Sequence, residues 1–255
     1  MRPAVFIHIF KGGGTSASDW LLEHYPESSA PPDSTTFALA PDDYLDTPLL
    51  RGHIRFQDVM HLDRTMLTII REPSAQTMSV LWHIASQAKE DREHRLLVDE
   101  ISPESERGLV TVARELIETR GGMQAQYISP DSNEPERAPE AIPKFHAVGL
   151  TERLHDSLRL FAWNLGLPAP SVIPHARNSG AGDIEMPSKI REILDEHIRY
   201  DNRMYDAARE RFDSDFSELC KAAGSERQID AYLNYRAAPK FSKQALRQLI
   251  ARKFT

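Results

Sequence analysis

The chemistry this chain could perform is concentrated in a few short stretches. Lys11-Gly12-Gly13-Gly14-Thr15-Ser16 puts consecutive glycines between a cation and two hydroxyls. Glycines let a backbone turn tightly and approach a ligand, so that N–H groups of the loop and of a following helix converge on an anion. Lys11 adds a full positive charge at the mouth, and Thr15 and Ser16 add hydroxyl donors. The order is not that of a Walker A loop, in which lysine follows the last glycine and precedes Ser or Thr; here lysine comes first. A second stretch, Arg71-Glu72-Pro73-Ser74-Ala75-Gln76-Thr77-Met78-Ser79, follows a β run and opens a helix; by itself Arg71 reads as a surface or capping arginine. Between the two lies Leu50-Arg51-Gly52-His53-Ile54-Arg55-Phe56. It carries His53, and histidine is the side-chain type that can accept a hydroxyl proton near neutral pH.

These groups need elements to hold them. Ala4 to Ile9 reads as a buried strand, the glycines as a loop, and Ala17 to His24 as a helix with Trp20, Leu21 and Leu22 along one side. Pro26 to Ser34 is a turn, Thr36 to Leu39 and Leu49 to Ile54 are short strands, and Arg64 to Ile70 is a clear β run. Pro73 suits the first turn of a helix through about Ala88. Residues 89–120 are helical in period, with Leu109, Val112, Ala113, Leu116 and Ile117 on one face. Prolines at 130, 135, 139 and 143 make 121–143 a long loop, expected to be mobile. Phe145 to Leu150 is a further strand. Thr151 is the expected N-cap of a helix through Leu165, closed by Gly166 and Pro168. His175 to Asp183 is a glycine-rich loop. Helices follow over Pro187 to Ala222, Gln228 to Tyr235 and Lys243 to Lys253, the last two in a helical C-terminal extension over 224–255. Strands alternating with helices predict an α/β fold, a central parallel sheet with helices on both faces, in a single domain over 1–255.

Composition narrows the function classes. Asp and Glu number 38 against 31 Lys and Arg, a net charge of -7, which argues against a protein that coats nucleic acid. The one cysteine, Cys220, forms neither an internal disulfide nor a thiolate zinc site and suggests a reducing compartment. Neither HExxH nor clustered Cys/His spacing is present, so no metal ligand set is expected. The apolar run Ala4 to Phe10 is too short for a membrane span, and a cytoplasmic protein is expected. Trp20, Trp82 and Trp163 read as core residues, and Cys220 as a small buried hydrophobe. The basic residues from Arg236 to Lys253 read as a solvated helix face.

The motifs together resemble those of the PAPS-dependent sulfotransferases, in particular the bacterial-type and glycan-modifying members. Phe6-Ile7-His8-Ile9-Phe10-Lys11-Gly12-Gly13-Gly14-Thr15-Ser16 is similar to the family's 5′-phosphosulfate loop, with Phe10 in place of proline and Gly12 in place of threonine. The stretch from Arg71 to Ser79 resembles the 3′-phosphate motif, with Gln76 where a second arginine is common. Val148 to Leu158, followed by Leu165-Gly166-Leu167, looks like the strand and helix that follow the cofactor site. Arg177 falls where the family places a basic segment against the cofactor. The resemblance runs from residue 4 to about 215.

It implies a P-loop-containing three-layer sandwich that binds PAPS and releases its desulfated product, adenosine 3′,5′-bisphosphate (PAP). The cofactor contacts it implies are Lys11, Gly12, Gly13, Gly14, Thr15, Ser16, Arg71, Ser79 and Arg177. Lys11 would stabilise the leaving phosphate and His53 would be the base, because the family's Gly-His segment lies between its two cofactor motifs. The acceptor would be a hydroxyl on a carbohydrate or a small molecule. A P-loop kinase acting on a small metabolite and a degenerate nucleotide-binding module are the alternatives; the lysine order counts against the first, while Phe10, Gly12 and Gln76 keep the second open.

Overall fold

A computed structural model of the chain describes residues 2–90, 123–171 and 198–238, together with Ser188, Glu192, Leu194 and Asp195. The stretch 91–120, the 175–183 loop with Arg177, the side chain of Trp82 and the 243–253 helix lie outside the described residues. A five-stranded sheet forms the centre, in the order β2-β3-β1-β4-β5 with every pairing parallel. Its strands are β1 (Ala4–Ile7), β2 (Ser28–Ser29), β3 (Leu49–Gly52), β4 (Thr65–Ile70) and β5 (Ala147–Leu150). Ala4 sits opposite both Leu49 and Thr65, and Leu67 opposite Ala147. Each residue of β1, β4 and β5 is buried. Side chains alternate between faces along a strand, so unbroken burial means that both faces of the sheet are covered, as parallel sheets require.

The helices are α1 (Gly14–His24), α2 (Ser34–Leu39), α3 (Asp42–Leu45), α4 (Phe56–Val59), α5 (Pro73–Glu90), α6 (Met123–Ile128), α7 (Ala138–Ala141), α8 (Leu154–Leu165), α9 (Arg199–Ala223) and α10 (Ile229–Ala237). Helices α8 and α9 both pack on β5, and α9 buries Met204, Ala208, Phe212 and Phe216. Phe161 of α8 meets Phe6 of β1 edge to face with ring centroids 6.2 Å apart. Trp20 is buried as expected, while Trp163 and Cys220 are only partly buried against the core. Among the described residues no helix is long and apolar enough to cross a membrane.

Three local expectations differ from the structure. Thr36 to Leu39 is helical rather than extended: the Asp33 side chain accepts from the Thr36 N–H at 2.7 Å, and this N-cap overrides the β preference of adjacent threonines. The short strand lies earlier, at Ser28–Ser29, inside the expected turn. The stretch expected to be a loop over 121–143 holds α6, α7 and short 3-10 turns at Pro135–Arg137 and Ile142–Lys144. Prolines occupy first-turn positions of these pieces, where a missing N–H costs nothing, and Ala125, Ile128, Ala138, Ala141 and Ile142 are buried. Thr151 is not an N-cap. It opens a 3-10 turn, Arg153 takes the cap position of α8 without a side-chain bond, and the Thr151 hydroxyl is used elsewhere. The end of α8 is as expected, with Gly166 left-handed at φ 72°.

Candidate functional site

In an open parallel sheet, ligands bind beyond the carboxyl ends of the strands, where connections diverge. Here β1 ends at the Lys11 loop, β3 at Gly52 and His53, β4 at Arg71 and β5 at Thr151. Four segments far apart in sequence therefore meet along one edge of the sheet.

The loop after β1 is held by its carbonyls. Gly12 N–H donates to Ile9 O at 3.1 Å. Gln76 Nε2 donates to Phe10 O at 2.9 Å, Arg71 Nη1 to Lys11 O at 3.5 Å and the Thr151 hydroxyl to Gly12 O at 2.5 Å. Lys11 is left-handed at φ 57°, a conformation that a non-glycine residue keeps only when its surroundings impose it. Gly13 follows at φ 81°, and a Cβ there would lie 2.6 Å from both Thr151 Cγ2 and Oγ1. A Cβ on Gly14 would meet the His8 ring. Helix α1 begins directly after, with no side-chain cap and no acidic residue in its first turn, so its positive end is uncompensated. Thr15 is exposed and Ser16 is buried. Burial, and after it the nearby Arg71 guanidinium, lowers the Lys11 pKa. Among the described residues, neither Lys11 nor Arg71 has a carboxylate partner.

His53 is half-buried, and its Nδ1 lies 2.6 Å from the main-chain carbonyl of His8. A carbonyl only accepts, so Nδ1 carries the proton and Nε2 keeps the lone pair. The His8 and His53 rings lie 4.7 Å apart, with Phe10 at 5.9 Å and Tyr127 at 6.4 Å from His53. Burial, then the charges of His53 and Arg51, push the His8 pKa down to about 4, so His8 is neutral at physiological pH. His83 of α5 lies 5.4 Å from Phe10 on the ring's other contact, its pKa lowered by burial and then by the charge of Lys11.

Arg71 is gripped at both of its main-chain groups by one buried side chain. Its N–H donates to Gln124 Oε1 at 3.0 Å, and its carbonyl accepts from Gln124 Nε2 at 2.8 Å. Glu72 caps α5, its two carboxylate oxygens accepting from the Ser74 and Ala75 N–H groups at 3.1 and 2.6 Å. An anion beside Arg71 therefore meets the guanidinium rather than the helix end. Ser79 lies within α5 at 1% exposure. Gln76 is fully buried and committed to Phe10 O through its amide nitrogen, while its Oε1 has no partner among the described residues.

Lys11, Gly12, Gly13, Gly14, His53 and Arg71 thus come together at one edge. Ser16 and Ser79 are close in sequence to this edge but buried, and Arg177 is outside the described residues. Sequence reasoning missed Thr151, Gln124 and Tyr127. Gln124 and Tyr127 fall in the proline-rich stretch dismissed as loop, and Thr151 was assigned a capping role. Among the described residues no cluster of His, Cys, Asp and Glu is arranged to hold a metal ion. No protein-family model matches the chain, and no curated protein is significantly similar to it. The class is defined by structure alone: an α/β protein with an all-parallel five-stranded sheet and helices at its C-terminal end, carrying a cationic loop at the sheet's carboxyl edge.

Proposed function

We propose that the chain is a PAPS-dependent sulfotransferase that transfers the sulfuryl group to an acceptor hydroxyl, with a carbohydrate as the favoured acceptor class. The observation that carries this reading is the juxtaposition of the Lys11 loop and Arg71 at adjacent strand ends, two cations without carboxylate partners among the described residues, beside a helix start with no side-chain cap among them. Both cationic stretches resemble the cofactor motifs of that family, and a nucleotide with phosphates at 3′ and 5′ requires two such separate anion sites. The loop N–H groups and Lys11 would take the 5′-phosphosulfate. Arg71 would take the 3′-phosphate, with Ser79 behind it in α5.

In the reaction the acceptor oxygen bonds to sulfur as the bond from sulfur to the phosphate oxygen breaks, and the acceptor proton passes to His53 Nε2. Negative charge grows on the leaving phosphate, where Lys11 and the loop amides are preorganised to meet it. The Nδ1–H bond to His8 O fixes the tautomer this proton transfer needs.

The test is thermal stabilisation by PAP against ATP with magnesium, followed by transfer of labelled sulfate from PAPS to a panel of glycans and hydroxylated small molecules. Selective stabilisation by PAP together with transfer is the expected result. Preference for ATP would indicate a P-loop kinase, and PAP binding with no transfer a nucleotide-binding module.

A further inference from the structure

Four consecutive carbonyls, from Ile9 to Gly12, accept hydrogen bonds: the first from the loop's own Gly12 N–H, the next three from the side chains of Gln76, Arg71 and Thr151, and the last of these is held from beyond the far strand. Thr151, immediately beyond β5, donates its hydroxyl to Gly12 O at 2.5 Å, while Ile70 O lies at 3.3 Å. A hydroxyl has one proton, and the shorter contact takes it. The same side chain lies against Gly13, where a Cβ would come within 2.6 Å of its Oγ1 and Cγ2. In a trans peptide the N–H points opposite to the carbonyl it is joined to. Drawing Gly12 O back onto Thr151 therefore turns the Gly13 N–H away from Thr151.

We propose that Thr151 is the positioning residue of the anion loop. It sets the Gly12–Gly13 peptide plane so that the Gly13 N–H faces the 5′-phosphate of the bound nucleotide, an assignment that rests on the sulfotransferase reading above. Thr151 touches no ligand itself. Its contribution is preorganisation, since without the hydroxyl this peptide would have to be oriented at the moment of binding. The role is distinct from that of Arg71, which serves the other phosphate.

The distinction sets the experiment. Dissociation constants for adenosine 3′,5′-bisphosphate and adenosine 3′-monophosphate are measured by calorimetry on the full chain, for the wild type, Thr151→Val and Thr151→Ser, with melting temperatures alongside. Valine keeps the shape and removes the hydroxyl; serine keeps the hydroxyl. We expect Thr151→Val to bind the bisphosphate about tenfold more weakly and the 3′-monophosphate within twofold of wild type, with Thr151→Ser close to wild type for both. Equal affinities of wild type and Thr151→Val for the bisphosphate, parallel weakening of both ligands, or a Thr151→Ser loss as large as that of valine would each overturn the assignment while leaving the sulfotransferase reading intact. A wild-type chain that binds neither ligand overturns that reading and this assignment with it. Should Thr151→Val not fold, Thr151→Ala against Thr151→Ser gives the same comparison.

Discussion

His53 Nδ1 donates to the main-chain carbonyl of His8 at 2.6 Å, and this bond decides which imidazole nitrogen can take a proton. The bond also ties the segment after β3 to the end of β1, next to the loop that would hold the sulfuryl donor. Replacing His53 with Ala should lower kcat for sulfate transfer by roughly 10²- to 10⁴-fold, the range typical of a positioned general base. The dissociation constant for adenosine 3′,5′-bisphosphate should stay within about twofold, since the imidazole is assigned to the acceptor. A variant with wild-type kcat on its preferred acceptor would remove His53 from the mechanism.

Arg71 should discriminate nucleotides by their 3′-phosphate. A charge-assisted contact of this kind contributes roughly 1.5–3 kcal/mol, so Arg71→Ala should weaken adenosine 3′,5′-bisphosphate by about 10- to 100-fold and leave adenosine 5′-monophosphate nearly unchanged. Arg71→Lys should recover little, because a point charge does not reproduce a planar fork. Calorimetric titration with both ligands measures the ratio; equal losses for the two would show that Arg71 acts on the loop rather than on the 3′-phosphate.

Gly13 and Gly166 make a controlled pair. Both are left-handed, at φ 81° and 72°, but a Cβ on Gly13 would strike Thr151 whereas one on Gly166 meets nothing within 4 Å among the described residues. Gly166→Ala should therefore cost only the backbone term, about 1–2 kcal/mol. Gly13→Ala should cost clearly more in urea denaturation, because Thr151 must move, and should also abolish stabilisation by the bisphosphate. Equal destabilisation by the two substitutions would mean that Thr151 does not confine the loop.

Strands β1, β3, β4 and β5 were legible because they lie in apolar runs, whereas β2 at Ser28–Ser29 is two polar residues inside a turn; the loop was legible because consecutive glycines after such a run have few other uses. Lys11, His53 and Arg71 could be singled out by residue type and position. What holds them could not. Gln124 clamps Arg71 from 53 positions away, and Thr151 reaches Gly12 across 139; neither bond leaves any trace in local periodicity. The 121–143 stretch was misread because proline suggests irregular structure, yet proline at the first turn of a short helix is favourable. Thr36 to Leu39 was misread because β-branched residues favour strands, whereas the Asp33 cap decided the outcome.

The neutral state of His8 should appear in the pH dependence of stability. Its pKa falls from about 6.5 to about 4 in the folded chain, through burial and then the charges of His53 and Arg51. Between those values the unfolded chain binds more protons at this site than the folded one, so stability declines as the pH falls through the window and the loss is complete below about 4. The full shift corresponds to about 3 kcal/mol. Burial also lowers the His24 and His83 pKa values, so these rings contribute a decline of the same sign. His8→Asn removes the titrating ring: its unfolding free energy, measured in urea at pH 7, 6, 5 and 4, should fall less steeply than that of the wild type. Parallel profiles for the two would show that His8 does not stay neutral against Gly14.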